Sequence, residues 1–308
     1  MTNATPDFIT QENWKTNRTT GLIFISLSYF FALLIGIIVF NSVNQTVWIN
    51  LFWADLAATF VIWVCSLILD NASVYDPYWS VQPMVILPLI ALKEGVLNLS
   101  TILLCALVLF WGVRLTANWA ATFQGLHKQD WRYDLIKMKT GKLYPIVNLL
   151  GIQLIPTLVV FACIVPILFV IMHAPDFSFM LLPGVLISLL GLVMETRADR
   201  QLRDFRCSNP GRNTIIRQGL WKYSRHPNYL GEILMWWGAY IACVAVFPSA
   251  WQLGLGALLN TALFILISIP MAEKRMKEYK SGFHEYQQQT RMLLPLPKTI
   301  NQSRNDQP

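Results

Sequence analysis

Apolar residues along this chain gather in long runs separated by short polar breaks. Eight runs are read as membrane-crossing helices, near residues 21–40, 49–69, 74–92, 97–113, 146–172, 177–194, 230–247 and 251–270. A helix rises about 1.5 Å per residue, so roughly 20 apolar residues cross the hydrocarbon core. The run at 74–92 is the one that a seven-span count would omit. The expected fold is an all-α polytopic integral membrane helix bundle of about eight transmembrane helices. Residues 1–20 and 298–308 read as polar tails, 21–69 as an N-terminal helix pair, and 70–297 as the main membrane domain with its polar loops. Because residues 1–20 are polar and the first run is long enough to span, no cleavable targeting segment is expected.

Composition agrees with that reading. The 308 residues are 55% hydrophobic and 13% charged, with a mean hydropathy of +0.45, against roughly 45–50% and about 25% in soluble domains. The net charge of +7 might suggest nucleic acid on a soluble chain, but no basic stretch carries a reader motif. Lys and Arg fall before residue 21, in 114–145, in 195–229 and after 270, and only Lys93 lies elsewhere. With eight spans those segments share one side, and basic residues mark the cytoplasm. Both termini are therefore expected to be cytoplasmic, in the inner membrane of a bacterium or the endoplasmic reticulum of a eukaryote. The five cysteines form no C-x-x-C pair, so neither a zinc site nor a disulfide framework is expected. No metal and no obligatory protein partner are inferred.

Four segments carry candidate chemistry. Leu69 to Pro83 sets Asp70, Tyr75, Asp76, Tyr78 and Gln82 at the head of the third run. A carboxylate at the bilayer edge needs a partner or a polar cavity, although Asp76 before Pro77 also suits a helix cap. The sixth run ends in Glu195, Asp199 and Arg203 on one helical face, continued by Arg206. Gly219 to Glu232 holds Arg225, His226, Pro227, Asn228, Tyr229 and Glu232 at the entry to an apolar helix. Its arginine suits a phosphate, its amide and carboxylate suit sugar or base edges, and a helix N-terminus favours an anion. The tail from Pro270 to Pro295, with Glu273, Tyr279 and Tyr286, suits either a helix lying on anionic lipid or a cover over a cofactor.

These residues resemble the DUF1295 family within the steroid 5-alpha-reductase superfamily, over roughly residues 70–297. The resemblance rests on Asp76-Pro-Tyr-Trp79, Trp111-Gly-Val-Arg114, Asp130-Trp-Arg-Tyr133, Asp199-Arg-Gln201, Gly219-Leu-Trp221, Ser224-Arg-His-Pro-Asn-Tyr229, Gly231-Glu232 and Pro270-Met-Ala-Glu273. It implies a membrane-embedded, NADPH-dependent reductase of a C=C bond conjugated to a carbonyl, acting on an apolar sterol- or lipid-like substrate that enters from the bilayer. Asp199, Arg203, Arg206, Asn228 and Glu232 would contact the cofactor, with Arg225, His226 and Tyr229 beside it.

Trp111 stands where the steroid reductases show a carbonyl-polarising Tyr, and Glu195 where they show an Asn. Asp76, Tyr75 and Tyr78 are taken instead as the carbonyl partners, since a neutral acid or phenol can donate to a developing enolate. The Arg-His-Pro-Asn-Tyr entry also resembles S-adenosylmethionine-dependent membrane methyltransferases of the isoprenylcysteine and phospholipid type. Glu273 would be their C-terminal glutamate. A non-catalytic lipid-binding or transport protein is the third reading.

Overall fold

The computed structural model describes residues 14–208, 211 and 213–296. Most of the polar segment before residue 21 and the whole of 298–308 lie outside the described residues. The helices are α1 (Arg18–Ser42), α2 (Val47–Ile68), α3 (Tyr78–Lys93), α4 (Leu99–Thr122), α5 (Trp131–Thr140), α6 (Tyr144–Val147), α7 (Ile155–His173), α8 (Leu182–Cys207), α9 (Pro227–Val246), α10 (Leu255–Leu263), α11 (Ile269–Tyr279) and α12 (Phe283–Gln289). Among the described residues the only extended pairing is an isolated bridge between Ser224 and Arg291. Among the described residues, seven helical stretches are long and apolar enough to cross a membrane. The chain is therefore an all-α, multi-pass membrane protein.

The run expected at 74–92 forms α3, whose 16 residues span about 24 Å, short of the roughly 30 Å core. The run expected at 146–172 is α6 and α7 joined through a π-helical turn at Asn148–Leu154. The last run is α10 and α11 joined through another at Phe264–Ser268. Polar residues start the helices as expected: the Asn17 side chain accepts from the Thr20 amide at 3.1 Å, and that of Asp130 from the Arg132 amide at 2.9 Å.

The chain clusters into two compact units. The first comprises Met1–Ile86 and Gly112–Phe161, the second Leu87–Trp111 and Ala162–Pro308. The core of the first is built from Ile25, Ala32, Ala58, Ile62, Val74, Tyr75, Tyr78 and Leu126. Its α3 and α4 run antiparallel: Ser80 Oγ meets Thr116 Oγ1 at 2.9 Å, and Gly112 sits against Met84.

The second unit is organised by an α8–α9 hairpin with small residues at its seam. A methyl group added to Gly184 would lie 2.2 Å from the Ala242 nitrogen, and one on Gly231 2.6 Å from Glu195 Cβ. Ser188 Oγ donates to the Met235 carbonyl at 2.9 Å. Such seams let helix backbones approach closely where lipid supplies no hydrophobic drive. In this antiparallel register the end of α8 lies beside the start of α9.

Candidate functional site

The second unit gathers the residues singled out around 195–232. Two bonds pin the loop before α9 onto the end of α8. Trp221 Nε1 donates to the Ala198 carbonyl at 3.0 Å, and the Leu220 amide donates to Gln201 Oε1 at 2.9 Å. Gly219 takes a φ of +59° and lets Gln201 approach within 2.5 Å of where a Cβ would stand, which is why glycine opens this turn. Pro227 then fits the first turn of α9, where no amide hydrogen is needed.

The members of this cluster have different partners. Arg203 and Arg206 are exposed and make no ion pair among the described residues. Asn228 is half-buried at the start of α9, and Asp199 is half-buried on α8. Arg225 is instead committed to the C-terminal segment. Its Nε donates to Glu273 Oε1 at 2.7 Å, and its Nη1 reaches the carbonyls of Thr290 and Gln287. His226 Nε2 lies 3.1 Å from the same Glu273 oxygen, and its ring stacks on Tyr229 with centroids 5.3 Å apart. Gln287 Nε2 donates to Glu273 Oε2 at 2.5 Å. The Arg225 and His226 amides pair with the carbonyls of Arg291 and Met292, and Tyr286 Oη donates to the Trp221 carbonyl. Thus the segment from α11 to Met292 covers the Arg-His-Pro entry.

Glu232 is buried, with 3% of its surface exposed. Its two oxygens accept from Trp111 Nε1 at 2.6 Å and Trp236 Nε1 at 2.7 Å. The indole that stands where a tyrosine was looked for is thus a donor to a buried carboxylate.

The first unit holds the other candidates. Tyr75 and Tyr78 face one another with ring centroids 5.6 Å apart. Tyr75 Oη bonds Thr157 Oγ1 at 2.9 Å, and Tyr78 Oη donates to Asp55 Oδ1 at 3.3 Å. Gln82 Nε2 donates to Asp55 Oδ2 at 2.6 Å. Asp76 belongs to a different group: it accepts from Tyr133 Oη at 2.7 Å, while the Asp130 amide donates to Ser73 Oγ at 2.8 Å. Asp76 lies outside every span and keeps some exposure. Burial raises its carboxyl to about 6, against hydroxyl bonds from Tyr133 and Ser73 that lower it. The motifs Asp76-Pro-Tyr-Trp79 and Asp130-Trp-Arg-Tyr133 therefore meet each other.

Sequence reasoning missed Asp55, the carboxylate that Tyr78 touches. It is 5% exposed, on α2. A lone acid within an apolar run was the available signal, since ionisable residues inside spans are rare and functional by default.

No curated protein and no solved structure matches the chain. The DUF1295 family profile, described as a protein of unknown function, matches residues 62–290. That stretch takes in the Asp76–Tyr133 pair, the α8–α9 hairpin and Glu273, and the chain belongs to the DUF1295 family.

Proposed function

We propose that this protein is an NADPH-dependent reductase of a C=C bond conjugated to a carbonyl, in a sterol- or lipid-like substrate reached from the bilayer. One observation carries the reading. The glycine seam of α8 and α9 brings the end of α8, which carries Asp199 and the exposed Arg203 and Arg206, to the same end of the hairpin as the start of α9, which carries Asn228. Guanidiniums suit phosphates, and an amide with a carboxylate suits ribose or base edges, so this donor set fits a dinucleotide. Bound there, the nucleotide would supply a hydride. Arg225, His226 and Glu232 have protein partners already and serve to shape the site.

Tyr75 and Tyr78 are the proposed carbonyl partners, and Tyr78 would have to turn its hydroxyl hydrogen from Asp55 to the substrate oxygen to act as donor. Tyr78 would polarise the substrate oxygen and hold its developing charge. Asp76, bonded to Tyr133, is assigned to loop structure. Both termini are read as cytoplasmic from the placement of basic residues.

Methyl transfer from S-adenosylmethionine remains the second reading, favoured by the convergence of Glu273 on Arg225 and His226. Thermal unfolding of the detergent-purified protein with NADPH, NADH or S-adenosylmethionine separates the two. A ligand present at 100 times its Kd stabilises the folded state by about 2.7 kcal/mol. The reductase reading expects an NADPH shift that is lost in an Arg203→Ala, Arg206→Ala, Asn228→Ala triple variant. A shift with S-adenosylmethionine alone, abolished by Glu273→Gln, would replace it with methyl transfer.

A further inference from the structure

Just beyond the ends of α2 and α4, the first unit contains a cavity of about 390 Å³, lined by residues 70–71 and 126–129 and by Asp134 and Lys137 of α5. Leu126 is the one apolar residue of this lining. Bonds between segments 55 to 67 residues apart in sequence hold its walls. Asn71, 2% exposed, donates from Nδ2 to the Leu126 carbonyl at 2.7 Å and to the Lys128 carbonyl at 3.0 Å. The Ala72 amide donates to Gln129 Oε1 at 3.0 Å. Asp70 takes a left-handed φ of +50°, a conformation that a residue with a Cβ keeps only where its surroundings hold it. Its carboxylate meets Lys137 Nζ at 2.6 Å. The cavity is thus built by long-range contacts rather than left by a loose loop.

Two opposite charges on this lining are left uncompensated. Asp70 and Lys137 neutralise each other. The Lys128 ammonium instead donates to a neutral amide, Gln124 Oε1, and the Asp134 carboxylate accepts from another, Gln129 Nε2, at 2.6 Å. Among the described residues neither Lys128 nor Asp134 makes an ion pair. A ligand with one negative and one positive group would complete both. Since α2 and α4 are long and apolar enough to span, a cavity at their ends lies at the depth of lipid head groups. We propose that it binds a phosphoethanolamine group, with the phosphate on Lys128 and the ammonium on Asp134.

The chemistry of the lining selects this group. A lysine ammonium binds phosphate as a point charge, and a primary ammonium donates N–H bonds to a carboxylate. Choline has no N–H to donate and is recognised by aromatic faces, whereas no Phe, Tyr or Trp lines this cavity. With Leu126 as the one apolar residue, the cavity has no surface for an acyl chain, so of a phospholipid only the head group enters. The same group is carried by phosphatidylethanolamine in the bilayer and by soluble phosphoethanolamine. The site goes beyond the reductase reading and requires neither nucleotide nor hydride.

The experiment is native mass spectrometry of the purified full chain, titrated separately with dioleoylphosphatidylethanolamine, dioleoylphosphatidylcholine and free phosphoethanolamine. The ethanolamine lipid should bind at least fivefold more tightly than the choline lipid. Lys128→Gln and Asp134→Asn should each abolish that preference. Both side chains are exposed, and the asparagine keeps an acceptor for Gln129, so the fold is not at stake. Lys139→Gln, which removes a charge from α5 outside the cavity, should retain the preference. Binding of the free compound that both variants lose makes a soluble compound a source of the group. A lipid preference without it makes the bilayer the source. The proposal is overturned if the two lipids bind equally and the free compound does not bind, or if either variant binds as the wild type does.

Discussion

Glu232 shows how one carboxylate in an apolar helix is kept: both oxygens are spent on indole N–H donors, Trp111 and Trp236, whose rings meet edge to face at 4.9 Å. Removing the carboxylate strands two buried donors, each at a cost of about 1–3 kcal/mol. Glu232→Ala is therefore expected to lower the apparent Tm strongly, with Glu232→Gln, which keeps one acceptor, in between. If Trp111→Phe with Trp236→Phe rescues the alanine variant, the loss is hydrogen bonding rather than packing. Asp76 gives a pH dependence of definite sign. Its folded value of about 6 lies above the roughly 4 of an unfolded aspartate. The folded state thus binds the extra proton, and stability falls as pH rises from about 4 to about 6. The carboxyl faces Tyr133, Ser73, Asp130 and Arg132, and Asp76→Asn, which keeps an acceptor for Tyr133, should flatten the decline in a thermal scan against pH. A steeper decline in the variant would exclude Asp76 as its source. Asp76, Glu232 and the Arg-His-Pro entry were visible in the sequence as candidates because polar residues cluster at run ends. Their partners were not, since Tyr133 and Glu273 come from 57 and 47 residues away. Asp55 was overlooked because it stands alone in its run.

At the scale of helices, the α8–α9 seam governs where the candidate nucleotide-binding residues stand. Gly184, Ser188, Gly191 and Glu195 on α8 face Gly231, Met235, Gly238 and Ala242 on α9, repeating at three and four residues as one helical face requires. Gly231→Ala would press its methyl against Glu195 Cβ at 2.6 Å and the Gly191 carbonyl at 2.7 Å. Backbone cannot yield there without parting the helices, so a cost of about 1–3 kcal/mol is expected, together with weaker NADPH binding because Asn228 sits one turn away. Gly151→Ala is the control, since its methyl would meet only Val147 Cγ1 at 4.0 Å. Equal losses in both variants would show that the seam is not the determinant. The apolar runs predicted these helices well, because hydropathy and length are local properties. The π-helical turns at Asn148–Leu154 and Phe264–Ser268 were not predicted, as they shift helix phase without changing hydropathy.

For the molecule in its membrane, the short α3 decides the topology of the first unit. Length alone leaves it out of the spanning set, which would place the segment before it on the opposite side from the basic loop after α4. The hydrogen bonds argue otherwise. Asn71 Nδ2 donates to the carbonyls of Leu126 and Lys128, Lys137 pairs with Asp70 at 2.6 Å, and Tyr133 holds Asp76. Lys15 Nζ donates to the Leu69 carbonyl, and Arg18 reaches the carbonyls of Ala120 and Phe123. The segments 15–18, 69–76 and 120–137 therefore lie at one end of this unit, and α3 leaves that end antiparallel to α4. A helix shorter than the hydrocarbon thickness is accommodated by local thinning at a fraction of a kcal/mol per Å, so 16 residues suffice. Single cysteines at Trp14, Glu94 and Lys139, in a Cys207→Ser background that removes the exposed native thiol, test this with a membrane-impermeant maleimide. Trp14→Cys and Lys139→Cys should label from the cytoplasmic side and Glu94→Cys from the other. Labelling of all three from the cytoplasm would show that α3 turns back, and labelling of Trp14→Cys opposite to Lys139→Cys would mean that the bonds from Lys15 and Arg18 do not form in the bilayer.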